Sequence, residues 1–263
     1  MDFKQLISDI FRGNTSALKY RFKKLVSLLR RKRYYSSLVT LPSAVEIPVI
    51  INNRNRYTYL LELCSWLEKN GFYDITILDN ASDYPPLVEW YMEDCPYTVI
   101  HMNQNVGPRA LWLYPGLDKL MKGFYIYTDA DVVPDPYCTK EHVKDMMNQL
   151  FRNPSVEKIG FALNIDDLPD HFRLKEEVIK WESQFWKKKN EQGYFEAPVD
   201  TTFAVYAPFA HGGGECKAWR TAKPIVAHHK PWYENSNNPE PENEYYIKNA
   251  APLNSHWTEL TRR

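Results

Sequence analysis

Two carboxylates, Asp129 and Asp131, sit two residues apart at the end of the apolar run Tyr125-Ile126-Tyr127. In an extended chain, side chains at i and i+2 point to the same side. Two anions so close repel one another unless a cation neutralises them. A hard divalent cation with oxygen ligands does this, and it keeps positions free for phosphate oxygens. The same spacing suits a strand-end turn in which Asp bonds the local backbone. The place after a strand favours the metal reading. A second group is Ala227-His228-His229-Lys230-Pro231-Trp232-Tyr233. A neutral imidazole is a common ligand of Mn²⁺-like ions, and His229 precedes two aromatics, Trp232 and Tyr233, that suit a sugar platform. His228 is expected to pack or to bond backbone. Arg220 and Lys230 carry the charge to hold diphosphate oxygens, and both equally suit solvent. Asp200 is a lone carboxylate before the apolar run Phe203-Ala204-Val205-Tyr206. An apolar setting raises a carboxyl pKa toward that of a useful general base; the alternative is a turn or N-cap. His211-Gly212-Gly213-Gly214-Glu215 lacks the Lys-Ser/Thr of a phosphate loop and reads as a flexible loop.

The elements that must position these residues follow from periodicity. Residues 45–51, 75–78, 98–102 and 124–128 read as short apolar strands, and residues 57–70, 108–121, 139–151 and 172–190 as helices. A helix starting at Pro85-Pro86 and strands at 159–163, 203–206 and 224–227 complete the series. Such an alternation implies an α/β fold, a mainly parallel sheet with helices on both faces. Ligands collect beyond the C-terminal ends of such strands. Here those ends read Asn52-Asn53-Arg54, Asp79-Asn80, Asn103-Gln104-Asn105 and Asp129-Ala130-Asp131, all polar. Asp79 also suits the opening of a turn over residues 80–83. Gly107-Pro108 also suits a plain helix start. Residues 234–249, rich in Asn, Pro and Glu, read as a loop or lid.

Over residues 46–233 the sequence resembles the GT-A glycosyltransferases, those like family 2. The resemblance is carried by Ile47-Pro48-Val49-Ile50-Ile51-Asn52-Asn53-Arg54-Asn55-Arg56, by Ile75-Thr76-Ile77-Leu78-Asp79-Asn80-Ala81-Ser82, by Asn103-Gln104-Asn105-Val106-Gly107-Pro108-Arg109 and by Asp129-Ala130-Asp131. It implies a GT-A, Rossmann-like fold, a nucleotide-sugar donor and a Mn²⁺ or Mg²⁺ cofactor. Asp79 would then accept a hydrogen bond from the base, with Asn52, Asn53 and Arg54 forming the rest of the base pocket. Asn105 belongs to the donor loop, and Gly107 lets the backbone pass close to the nucleotide. Asp129 would touch ribose or a metal-bound water, Asp131 the metal itself, and His229 would be a late metal ligand. An Asp from the region of Asp200 is the base in similar inverting enzymes, although this sequence lacks their usual Glu-Asp pair. Uridine is the commoner base in that family. Trp181, Phe185 and Trp186 read as core packing, alternatively as an acceptor groove.

Composition bounds the remainder. The 263 residues carry 33 Lys+Arg and 33 Asp+Glu, which excludes a generally basic nucleic-acid binder. Residues 1–33 hold ten Lys/Arg and two Asp, so that segment is net +8 and the rest net −8. Residues 3–33 read as a basic amphipathic helix broken near Gly13-Asn14-Thr15, suited to an in-plane membrane contact, to a partner helix or to packing on its own domain. The expected division is a helical segment, 1–40, and a GT-A domain, 41–263. The four Cys include no C-x-x-C pair, and no signal peptide or spanning run is evident, which fits a cytoplasmic protein, peripheral on the inner membrane face. The expected function is transfer of a sugar from a UDP-sugar to a hydroxyl of a glycan or lipid-linked acceptor, in cell-surface polysaccharide synthesis. A sugar-phosphate nucleotidyltransferase is the first alternative; it would need a Gly-rich loop where Asn52-Asn53-Arg54-Asn55-Arg56 stands. A non-catalytic binding module of the same fold is the second.

Overall fold

The computed structural model describes residues 15–199, 202–210, 212 and 216–249. Helix α1 is described over Thr15–Ser37; residues 3–14 of the expected helix, and with them the expected break at Gly13-Asn14, lie outside the described residues. The β-branched and apolar runs form β1 (Val49–Asn53), β2 (Ile75–Asp79), β3 (Thr98–His101) and β4 (Tyr125–Asp129). Helices α2 (Thr58–Lys69) and α3 (Pro85–Glu93) make the first crossovers. Gly71 ends α2 at φ +83°, donating its N–H to the Glu68 carbonyl (2.9 Å), the αL cap that glycine favours.

Later elements are α4 (Ala110–Leu113), β5 (Val132–Pro134), α5 (Lys140–Arg152), β6 (Lys158–Gly160), β7 (Ala162–Leu163) and α6 (Lys175–Glu182). They are followed by β8 (Ala204–Tyr206), β9 (Ala218–Arg220), β10 (Val226–His229) and α7 (Pro241–Asn249). Seven strands form one sheet, ordered β3-β2-β1-β4-β8-β6-β9, in which β8 alone runs antiparallel to its neighbours. A small sheet, β5-β10-β7, sits beside it. Alternate residues serve opposite faces. Val49, Ile51, Ile77 and Ile126 belong to one buried cluster with α2 and α5. Ile50, Leu78, Tyr125 and Tyr127 belong to a second cluster with Leu111, Met121 and Tyr206.

Several boundaries differ from the sequence reading, each for a local reason. The first strand starts at Val49, because Ala44–Glu46 forms a 3₁₀ turn and Pro48 has no N–H for a ladder. The expected helix over 108–121 is interrupted by Pro115-Gly116, with Gly116 at φ +84°, leaving α4 and a 3₁₀ turn at Asp118–Met121. Residues 159–163 split between the two sheets as β6 and β7. The long helix over 172–190 shortens to α6 plus a 3₁₀ turn at Ser183–Trp186. The expected loop over 234–249 contains α7. Strands β5 and β9, three residues each, are too short to show a period.

α1 is joined to the domain by its inner face. Ser27 donates from Oγ to the Phe209 carbonyl. Arg31, 2% exposed, donates to the carbonyls of Pro154 (2.8 Å), Val156 (3.2 Å) and Pro208 (3.1 Å). Tyr35 stacks on Phe124 at 5.7 Å. These residues recur at i, i+4 and i+8, one side of a helix.

Candidate functional site

Register across the parallel strands brings the candidates together. Asn52 pairs with Asp129, Asn53 with Asp79, and Asp79 with His101. The four polar strand ends therefore lie side by side at one edge of the sheet. Asn52 Nδ2 donates to Asp129 Oδ1 at 3.1 Å. Asn80 is a clamp: its Oδ1 accepts from Val106 N–H (2.7 Å) and its Nδ2 donates to the Gly107 carbonyl (3.0 Å). Gly107 adopts φ +79°, and a Cβ there would meet no atom within 4 Å, so the need is conformational rather than steric. Asn105 Oδ1 accepts the Gly107 N–H at 2.8 Å. Arg54 donates to the carbonyls of Asn80 (2.9 Å) and Ala81, tying the β1 and β2 ends together.

A cleft of ≈ 1700 Å³ opens over this edge. Asn52, Asn53, Arg54, Asn105 and Gly107 line it together with Asp129, Asp131, Arg220, His229 and Trp232. Asp79 and Tyr233 do not. Asp79, 5% exposed, accepts the Ser82 N–H (3.2 Å) and faces His101 Nδ1 (3.1 Å). That is the turn-forming role that the sequence offered as the alternative to base recognition. Tyr233 donates to Asp167 Oδ1 (2.6 Å) and contacts His228 Nδ1 (2.9 Å) through the same hydroxyl. His228 Nε2 meets Asp135 Oδ2 at 3.0 Å, so its partners are side chains rather than backbone. Asp200 lies outside the described residues, while Pro198, Val199 and Thr202 line the cleft.

The small sheet places the histidine. β10 runs antiparallel to β5 with His229 opposite Val132, and the Lys230 N–H donates to the Asp131 carbonyl at 2.9 Å. His229 Nε2 consequently lies 3.9 Å from Asp131 Oδ1. Asp131 and His229 would be the side chains to hold a divalent ion there. Carboxylate oxygen with imidazole nitrogen is a donor set that Mn²⁺ accepts. The residues thus fit a divalent cation in kind. Among the described residues, however, no group of three or more His, Cys, Asp or Glu side chains is arranged to hold one. The other Asp131 oxygen, Oδ2, faces Arg56 Nε at 3.4 Å.

Arg56 is the site residue that the sequence left without a role. Its side chain is 6% exposed. It donates to Asn243 Oδ1 (3.1 Å) and stacks its guanidinium 3.6 Å from the Tyr246 ring centroid. Both partners belong to α7, which lines the cleft. Glu242 of the same helix accepts from the N–H groups of Tyr57 (3.0 Å) and Thr58 (2.8 Å) and from Thr58 Oγ1 (2.8 Å). Glu234 also faces the cleft; its Oε1 accepts from the Tyr59 hydroxyl and its buried Oε2 has no hydrogen-bond partner among the described residues. Burial lifts the Glu234 carboxyl above the usual carboxylate range, against the Tyr59 bond and the Arg56 charge. Sequence reading missed these groups because they converge from segments nearly two hundred residues apart.

Three other candidates sit differently from expectation. Arg220, 3% exposed, donates to Glu182 Oε2 (2.6 Å) and the Pro198 carbonyl (2.7 Å), so its charge is already matched inside the wall of the cleft. Lys230 donates to Glu62 Oε1 (2.9 Å). Trp232 is 4% exposed and packs on the His229 ring at 4.7 Å, supporting the imidazole rather than offering an open platform. An exposed aromatic of the cleft is Trp181, 53% exposed, which lines it together with Lys180 and Gln184.

No family model and no curated protein matches the chain. Among solved structures it is similar to the mannosyltransferase PcManGT from Pyrobaculum calidifontis, in complex with GDP-Man and Mn²⁺, at 14% identity and TM-score 0.43 over 94% of this chain and 74% of that one. It is similar to S. aureus TarS 1–349 with UDP at 16% identity and TM-score 0.41, over 82% and 69%. A third is GalNAc-T7 with UDP, GalNAc and Mn²⁺, at 10% identity and TM-score 0.44, over 83% and 53%. At such identities the likeness lies in the course of the chain and gives no correspondence between residues. The architecture itself, a mostly parallel sheet covered on both faces with its polar strand ends opening into one cleft, is the one that resemblance to the GT-A glycosyltransferases implies.

Proposed function

We propose that the chain is a metal-dependent glycosyltransferase, moving a sugar from a nucleoside-diphosphate donor to a hydroxyl of a glycan or lipid-linked acceptor. The single observation that carries this reading is the gathering of Asn52, Asn80, Asp129, Asp131 and His229 around one cleft at the C-terminal strand edge. That edge is where open α/β sheets take nucleotides. Asn52, Asn53 and Arg54 with the 105–107 loop bound the nucleoside end. Asp131 and His229, with Asp129 beside them, would hold Mn²⁺ or Mg²⁺, which when bound supplies positive charge toward the departing diphosphate. Resemblance favours uridine and an inverting outcome with Asp200 as the base. Trp181 offers the acceptor an exposed ring in the same cleft. Synthesis of a cell-surface polysaccharide at the inner membrane face is the setting that fits a lipid-linked acceptor.

One observation favours a second reading. Arg56 already faces Asp131, and no third ligand joins His229 there among the described residues. A binding module that kept the fold without catalysis would look the same. Thermal shifts with UDP and GDP, each with and without Mn²⁺, separate the two. For the transferase, UDP with Mn²⁺ raises Tm by about 5 °C at saturating ligand. Asp131→Ala then removes the metal-dependent part and lowers transfer at least about 100-fold. A nucleotide shift indifferent to Mn²⁺ and to Asp131→Ala, without donor hydrolysis, supports the binding module.

A further inference from the structure

α1 turns Ser27, Arg31 and Tyr35 into the domain, so residues about half a turn away must face outward. Along that outer line stand Phe22, 68% exposed, and Leu29, 57% exposed, seven residues apart and therefore one above the other. Lys19, Lys23, Arg30 and Arg33 surround them, all exposed. No Asp or Glu occurs between residues 10 and 45. None of these four cations forms an ion pair among the described residues; Lys24, off that line, lies 3.4 Å from Glu157. Large apolar groups left in water within a ring of uncompensated cations are the pattern of a helix lying in a lipid interface. No described helix is long and apolar enough to cross a membrane, so any such contact is in the plane.

We infer that the outer face of α1 docks on an anionic lipid surface, with Phe22 and Leu29 entering the boundary between headgroups and acyl chains and the four cations meeting lipid phosphates. The inner face stays bound by Arg31 through three backbone carbonyls, so docking needs no unfolding. The helix then holds the domain against the membrane. This inference does not rest on the transferase reading, and its test reads binding alone.

The test is co-sedimentation of the full chain with vesicles of phosphatidylcholine alone and of phosphatidylcholine mixed equally with phosphatidylglycerol. Binding is expected only to the anionic vesicles and is expected to weaken steeply as salt rises from about 0.1 M to 1 M, where the Debye length falls from ~10 to ~3 Å. Phe22→Ser and Leu29→Ser each weaken binding about tenfold. Lys23→Glu with Arg33→Glu weakens it by about tenfold or more. All four positions are exposed, so Tm stays unchanged and folding is not in question. Equal binding to neutral vesicles, no binding to either kind, or binding indifferent to both Phe22→Ser and Leu29→Ser would overturn the inference. So would a stable dimer in sedimentation velocity that Phe22→Ser dissolves, since the face would then belong to a second copy.

Discussion

Arg56 and Asp131 set the electrostatic state of the cleft. A buried guanidinium 3.4 Å from one carboxylate oxygen supplies the positive charge that a divalent ion would otherwise bring. Removing it takes away a like charge from the cation's approach. Arg56→Gln is therefore expected to tighten binding of Mn²⁺ alone by about tenfold in calorimetry; unchanged or weaker binding would mean that Arg56 only shapes the site. Glu234 gives a pH signature. A carboxyl raised on folding holds its proton more readily in the folded state. Its contribution to stability is full below the ordinary glutamate range and is lost as pH climbs through the higher folded value. Glu234→Gln, permanently neutral, should gain Tm relative to the parent as pH rises above the ordinary glutamate range. A difference between the two proteins that stays constant as pH rises would refute the assignment.

At the scale of elements, the contact between α7 and α2 explains how the cleft keeps its shape. Tyr57, at the N-cap of α2, makes no side-chain cap. The open N–H groups are taken by the Glu242 carboxylate, whose charge also suits the positive end of the helix dipole. α7 is thereby fastened over Arg56, and Tyr245 adds a bond to the Asp83 carbonyl at 2.9 Å. Glu242→Ala should cost about 1–2 kcal/mol. It should also speed limited proteolysis within residues 241–249 while sparing α5, whose Thr139 cap is separate. Equal protection of both helices in the variant would show that α7 is held by other contacts.

For the whole molecule, α1 and the sheet domain share a core. Tyr35 belongs to the same buried cluster as Phe124, Leu150 and Val156, and Arg31 spans carbonyls from two separate segments. A division at residue 40 therefore cuts through packed surface. Arg31→Met leaves three carbonyls, two of them buried, without their donor and is expected to cost about 3 kcal/mol in urea unfolding. A chain beginning at residue 39 should lose its cooperative thermal transition altogether; a sharp transition near the parent Tm would make α1 an appendage. The exposed face of the same helix is free to bind elsewhere because the inner face does the holding.

The sequence determined what nearest neighbours along the chain can encode. Strand-and-helix alternation and the polar end of each early strand were legible, because side-chain period is a local property. Asp129 and Asp131 were found by the same logic. Register and long-range closure decided the rest. Asn52 meets Asp129 because β1 and β4 pair in one alignment and not another, and no residue announces that pairing. Asp79 accepts the Ser82 N–H in a turn and meets His101 across the β2–β3 pair, a contact set by register. Arg56, Glu234, Glu242 and Tyr246 became one cluster only when α7 folded back onto the first strand end. Short strands such as β5, and a helix inside an Asn- and Pro-rich stretch, hold their shape by tertiary contact, which overrides weak local preference.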